Sequence, residues 1–333
     1  MKKLLFIINP KAGRTAIKND LFEIIMTFSK AGYEVVTYPT TGPDDAERKV
    51  ICDGADYDLI VCAGGDGTLE NTVCGYMNMG ENKVPIGYIP VGTTNDFARS
   101  LKISRNPLTA ASQIVNGTVN NLDVGILDDK YFVYIAAFGI FTDISYSTDQ
   151  SLKKIMGHSA YIVEALKNIT SYKSFKIVAD FDGKVISGEY IYGMITNSFS
   201  VAGFKIRGAK HVLLDDGKFD CLFIKNPKNA AELQKAVNGI LTNDIDGNEM
   251  FYSCKASRVS VKCEIPIPWT VDGEFGGEKK EVVVQNYHKS VKLLLCNSYE
   301  GEGLGEDSDE IAASDENIEQ IDVNEDDYYD SWD

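Results

Sequence analysis

The sequence predicts an α/β N-terminal domain, a Rossmann-like parallel sheet carrying a Gly-Gly-Asp-Gly loop, followed by an antiparallel β-sandwich second domain. Three observations predict it. Over residues 1–120 short apolar runs alternate with segments of helical period, the pattern of a parallel sheet covered on both faces. The first four apolar runs each end in a turn of Gly, Asn, Pro or Thr, and in such a sheet those turns share the carboxyl edge where ligands sit. Beyond residue 120 strand-length runs are separated by turns such as Asp128-Asp129, Asp182-Gly183 and Asp216-Gly217, as in a sandwich.

Taken in order, residues 3–8 form a buried strand that exits through Asn9, Pro10, Lys11, Ala12 and Gly13. Apolar residues at 17, 21, 24, 25 and 28 give a helix over 16–30, closed by Gly32. Residues 35–38 are a strand ending near Thr40, and a helix starting near Asp44 leads to a third strand at 59–63. This strand breaks at Gly64, Gly65, Asp66 and Gly67, and Thr68 opens a helix on Leu69, Val73, Tyr76 and Met77. A fourth strand over 85–90 ends in Gly92, Thr93, Thr94, Asn95 and Asp96, with a helix from Phe97 and another at 107–116. The later strands fall at 122–127, 131–138, 175–181, 188–195, 219–224, 259–261 and 282–284, with helices near 151–170 and 229–241. The domain boundary is set near residue 120: residues 1–120 form the α/β domain, 121–290 form the sandwich, and the run 291–300 is open to rejoining the first domain.

The net charge of −16 belongs to the C-terminus. Residues 300–333 hold fifteen Asp and Glu and no Lys or Arg, which leaves the remainder near −1. Residues 301–333 therefore read as a disordered acidic tail, either solubilising or regulatory. No basic patch of nucleic-acid-binding type is present. No run approaches the roughly 20 apolar residues of a membrane span. The five-residue apolar run after Met1-Lys-Lys reads as the first strand rather than a leader. Seven cysteines without pairing spacing point to a reduced, cytoplasmic protein.

A buried strand, a glycine turn and a helix start bring backbone N–H groups together around an anion, so residues 64–68 are a candidate phosphate cradle. Asp66 would repel phosphate, so its role is to hold Mg2+ or orient a neighbour. Asp96, one strand along, would bring a second carboxylate to that centre; the alternative is a simple helix cap. The hairpin at 268–277 carries Asp272 and Glu274 at its tip, either a plain turn or a base for a substrate hydroxyl. The turn at 213–218 is either a plain turn or a cation site on Asp216.

Together these marks resemble the diacylglycerol-kinase-like lipid kinases, most closely the soluble bacterial diacylglycerol kinases. The marks are Asn9 to Gly13, Gly64 to Leu69, Ile89 to Phe97, Leu122 to Gly125, Leu214 to Gly217 and Val271 to Glu274, in family order over about the first 290 residues. The resemblance implies ATP and Mg2+, and phosphorylation of the free hydroxyl of diacylglycerol to phosphatidic acid. It assigns the nucleotide to Asn9, Pro10, Lys11, Ala12, Gly13, Thr40, Gly65, Asp66, Gly67, Thr68, Leu69, Glu70, Asn71 and Thr93. Asp66 and Asp96 would act at the Mg-ATP centre, Glu274 as proton acceptor with Asp272 beside it, and Asp123 in an acidic network between the domains. Asp216 with carbonyls of Leu213 and Lys218 would match a structural Mg2+ site. The lipid would be met at the inner membrane face by a protein without a transmembrane segment, with Lys153, Lys154, Lys205, Arg207 and Lys210 as basic contacts; a homodimer is left open. One departure stands out. The family runs Gly-Thr-Leu-Asn-Glu, whereas here Glu70 precedes Asn71, about 100° apart on a helix. Alternatives are an NAD-kinase-like enzyme, a sphingoid or ceramide kinase, and an inactive nucleotide- or lipid-binding protein.

Overall fold

The chain begins with a wholly buried apolar run, Leu4 to Ile8, and the sheet grows outward from it. The computed structural model describes residues 1–13, 16–93, 95–140, 173–197, 200–201, 204–205, 214–242, 244–245 and 247–296. Strand β1 (Lys2–Ile8) leads to α1 (Ala16–Lys30), β2 (Tyr33–Pro39), α2 (Asp45–Asp53), β3 (Leu59–Gly64), α3 (Asp66–Asn78) and β4 (Ile86–Pro90). The short α4 (Asp96–Ser100) and α5 (Pro107–Val115) follow. β1 pairs in parallel with both β2 and β3, and β3 with β4, giving the order β2-β1-β3-β4. β3 and β4 are buried along their whole length, as expected of parallel strands covered on both faces. α1 and α5 share one apolar cluster with Leu4, Phe6 and Val61; α2 and α3 share another with Leu5, Ile7 and Ile60. The helices therefore lie on the two faces, as alternating side chains dictate.

From β5 (Thr118–Leu127) the pairing turns antiparallel, through β6 (Lys130–Phe132), β7 (Ile135–Gly139), β8 (Phe175–Phe181) and β9 (Lys184–Thr196). Two-residue strands β10 (Ser200–Val201) and β11 (Phe204–Lys205) form a separate ladder. Then come β12 (Phe219–Lys225), α6 (Ala230–Thr242), β13 (Phe251–Ala256), β14 (Arg258–Val271) and β15 (Glu274–Leu295). The long strands β9 and β14 each pair with both β7 and β8. Hydrogen bonding thus closes on itself around Phe138, Phe175, Phe181, Phe223 and Trp269. The expected sandwich of two sheets is instead a single sheet that curls round this aromatic core.

Sheet continuity also changes the reading at residue 120. β15 pairs along most of its length with β14 and β5, and at Leu293 it pairs in parallel with Ile86 of β4. Residues 1–300 consequently form one compact unit. The strands expected at 259–261 and 282–284 are fragments of β14 and β15, because Pro266, Pro268, Gly276 and Gly277 punctuate the sequence there. Register shifts between Lys262 and Ile267 and between Trp269 and Thr270 absorb these interruptions. The segment expected as one strand at 131–138 is two, β6 and β7, with Val133 and Tyr134 between them. β13 had no expectation. The helix expected near 151–170, the tail 301–333, and Lys153, Lys154, Arg207 and Lys210 lie outside the described residues, as does the side chain of Lys205.

Candidate active site

The parallel pairing puts the exits of β1, β2, β3 and β4 on one edge. Side chains and tight backbone contacts then tie these turns together. Asn9 Nδ2 donates to Thr68 Oγ1 at 3.0 Å, joining the first turn to the start of α3. Asn9 also accepts from Lys11 N on its side-chain oxygen and from Ala12 N on its carbonyl, which folds residues 9–13 over. Gly13 has φ +69, and a Cβ there would sit 2.2 Å from the Val91 carbonyl oxygen, so only glycine lets this turn lie on the β4 exit. A Cβ on Gly92 would lie 2.6 Å from the Cα of Gly65, so the two glycine turns touch backbone to backbone. Asp66 reaches across the same gap, accepting from Phe97 N on Oδ1 at 3.4 Å. Thr40 N donates to the Ile8 carbonyl, which holds the β2 exit beside the first turn. Thr93 is exposed, its carbonyl held by Arg105. The side chain of Asp96 lies outside what is described.

α3 starts two residues earlier than its apolar period suggests, with Gly65 as N-cap and no side chain capping it. An uncapped helix start with glycine on both sides of Asp66 suits an anion by dipole and by free approach of the backbone. The side chains of Thr68 and Leu69 are buried.

The β14–β15 hairpin carries the next pair of candidate residues. Asp272 (φ +47) and Gly273 (φ +92) form its two-residue turn, both left-handed as a type I′ turn requires. The Asp272 carboxylate is buried and accepts three backbone N–H groups: Val133 at 2.6 Å, Tyr134 at 3.0 Å and Ile135 at 2.8 Å. Its own N–H donates to the Ile135 carbonyl. Burial pushes this carboxyl up to about 7 against those three amides, and negative Asp66 adds to the rise. Three amide donors are satisfied fully only by the anion, so Asp272 serves as the hairpin's anchor. Glu274, on the other side of the turn, is exposed. The sequence paired these two residues as acid-base candidates; one is buried and the other exposed.

Two further residues lie close to the hairpin. Glu70, expected at the nucleotide, is half-buried where its charge is felt with those of Asp272 and Glu274. Lys130, the first residue of β6, donates to the Phe275 carbonyl at 3.0 Å and steadies the hairpin. No local pattern marks a lysine at such a strand start.

Asp123 is buried on β5, where it accepts from Gly217 N on Oδ2, from Lys289 N on Oδ1, and lies 3.0 Å from His288 Nδ1. It thereby fastens the 214–218 turn to β15. Within that turn Asp216 accepts from Lys218 N and pairs with the Lys255 ammonium at 2.9 Å, which also lies 3.4 Å from Asp220. Leu213 lies outside the described residues. Among the described residues no group of three or more His, Cys, Asp or Glu is arranged to hold a metal ion.

Comparison with known proteins gives the same direction as the geometry. The sequence profile of the diacylglycerol kinase catalytic domain matches residues 3–127. The chain is 35% identical over 279 residues to a diacylglycerol kinase of Bacillus subtilis, covering 83% of this chain and 91% of that one. It is 32% identical over 309 residues to diacylglycerol kinases of Staphylococcus aureus, covering 91% of this chain and 95% of theirs. A solved structure of a putative diacylglycerol kinase from Bacillus anthracis superposes with TM-score 0.75 over 88% of this chain and 95% of that one, at 24% identity, a likeness of fold.

Proposed function

The chain belongs to the bacterial diacylglycerol kinase family, and from that membership we propose how its residues phosphorylate a lipid. It is a lipid kinase that makes phosphatidic acid, with ATP as the phosphoryl donor its family implies. The observations carrying the residue-level reading are an uncapped helix start at Gly65 and an exposed carboxylate at Glu274, whose charge is felt at Glu70 of the same helix. A phosphoryl donor seated on the first and an acceptor hydroxyl beside the second fit a reaction governed by positioning and electrostatics.

In this reading Asn9 to Gly13, Thr40, Gly65 to Asn71 and Thr93 surround the nucleotide, on a parallel sheet of Rossmann-like kind. Asn9 fixes Thr68, and the touching Gly65 and Gly92 hold the cradle at one width. Asp66 and Asp96 supply carboxylate oxygens suited to a hard cation, and Mg2+ carried with ATP would screen the phosphate charge. Glu274 accepts the proton of the acceptor hydroxyl as the new O–P bond forms and the bridging bond to the γ-phosphorus breaks, with ADP as the leaving group. Asp272 keeps the hairpin in place. The lipid is met at a membrane surface; no described helix is long and apolar enough to cross a bilayer.

The direct test is transfer from labelled ATP to diacylglycerol in mixed micelles. Labelled phosphatidic acid is the expected product. Stronger labelling of a sphingoid base, ceramide or NAD would overturn the acceptor.

For the structural ion, Asp216 Oδ2 and the carbonyls of Leu213 and Lys218 are oxygen donors of the type that a largely water-coordinated Mg2+ uses. Its chemistry there would be charge neutralisation of the turn. The Lys255 ammonium already pairs with that carboxylate, so ion and lysine compete. Lys255→Met is therefore expected to tighten Mg2+ binding severalfold by calorimetry without nucleotide. An unchanged affinity, or one untouched by Asp216→Asn, argues against an ion at this turn.

A further inference from the structure

Tyr88 and Asn95, both buried, join the exits of β3 and β4. The Tyr88 hydroxyl lies 3.4 Å from the Gly64 carbonyl and 3.4 Å from Asn95 Oδ1, so its single proton is shared between them. Asn95 holds a left-handed conformation (φ +51), and its side-chain amide closes on Gly92 twice. Oδ1 accepts from Gly92 N at 3.0 Å, and Nδ2 donates to the Gly92 carbonyl at 2.8 Å. A Cβ on Gly92 would lie 2.7 Å from Asn95 Oδ1, so this clamp needs glycine at its centre. Burial, and after it the charge of Asp66, raises the Tyr88 hydroxyl well above its ordinary range, so it keeps its proton at any working pH.

These bonds set the direction of backbone groups beyond the ones they touch. In a trans peptide the C=O and the following N–H share a plane and point opposite ways. The Gly64 carbonyl is drawn toward β4 by Tyr88 and by Val91 N at 2.9 Å. The Gly65 N–H therefore turns to the β1 side, where residues 9–13 fold over. The Gly92 N–H is drawn in by Asn95, which leaves the Val91 carbonyl facing Gly13, where a Cβ would meet it at 2.2 Å. The Gly92 carbonyl is drawn in as well, so the Thr93 N–H turns away from the clamp. Glycine sets none of these planes by itself, because its backbone is the least restricted of all.

Resting on the nucleotide reading of this edge, we propose that Tyr88 and Asn95 are positioning residues that aim the Gly65 and Thr93 amides at the phosphates of ATP. The Gly92 amide is held inside the clamp and takes no part in binding. Tyr88 is the link between the two turns. Without its hydroxyl the Gly64 carbonyl keeps Val91 N and Asn95 Oδ1 keeps Gly92 N, but the Asn95 amide no longer bears on the β3 exit.

The test titrates ATP with Mg2+ into wild type, Tyr88→Phe, Asn95→Asp and Asn95→Gly by calorimetry without lipid, and follows the backbone amides by NMR. Tyr88→Phe removes one oxygen and keeps the ring. It is expected to weaken ATP binding three- to tenfold and to raise KM for ATP in step, with KM for diacylglycerol within twofold of wild type. Asn95→Gly keeps the left-handed turn without the amide, and Asn95→Asp sets an oxygen against the Gly92 carbonyl. Both are expected to weaken ATP ten- to a hundredfold. In the wild type the Gly65 and Thr93 amide resonances should move on ATP addition and that of Gly92 should stay. ATP bound equally by Tyr88→Phe and wild type, or a Gly92 resonance that moves as far as that of Gly65, overturns the proposal. So does a KM for diacylglycerol that rises as much as that for ATP, since a merely structural role would spread to both substrates. If the variants lose ATP as expected while the wild type forms no phosphatidic acid, the lipid acceptor has failed rather than the role of Tyr88 and Asn95.

Discussion

Glu274→Gln is expected to lower kcat for phosphatidic acid formation by roughly 10²–10⁴, the usual worth of a positioned acid-base group. Melting temperature and KM for ATP are expected to stay at wild-type values. The reasoning is local. Glu274 pairs with Val271 beside a two-residue turn whose geometry is fixed by Asp272 and Gly273, and its own side chain stands exposed. Removing its charge therefore leaves the backbone framework as it was. Initial rates in mixed micelles with a thermal melt of each protein check both halves. A fall in melting temperature parallel to the fall in rate would make Glu274 a structural residue instead.

The parallel half of the fold was legible because its signals are local. Apolar runs of strand length, a helical period over 16–30 and turn residues at each strand exit need no distant partner to be read. The convergence of residues 9–13, 64–68 and 92–96 followed from topology alone, and Asn9–Thr68 and Gly65–Gly92 give it physical form. The antiparallel half was only partly legible. β15 runs for 22 residues through Gly276 and Gly277, and what sustains it is pairing with β14 and β5, far away in sequence. Roles set by long-range contacts were the hardest to read. Nothing near Asp272 in the sequence announces that residues 133–135 will take both of its oxygens.

Asp272→Ala is expected to cost about 3–5 kcal/mol of stability, in the range for breaking a buried charged network from one side. The carboxylate is the acceptor for three backbone N–H groups, and a buried donor left without one costs about 1–3 kcal/mol. At roughly 2–4 °C per kcal/mol, the melting temperature should fall by about 6–20 °C. Asp272→Asn is the more telling variant. Its amide keeps one acceptor oxygen but turns an NH2 group toward a backbone N–H, so it should destabilise nearly as much as alanine. Activity should fall in both, because the hairpin that presents Glu274 is released from residues 133–135. This reverses the pattern of Glu274→Gln, where an equally conservative change leaves stability intact and removes only rate. Neighbouring carboxylates two residues apart would then be separable by one pair of measurements, a melt and an initial rate. An Asp272→Asn protein that melts like wild type but loses activity would instead make this residue a participant in proton transfer. The three amide bonds would then be incidental to its role.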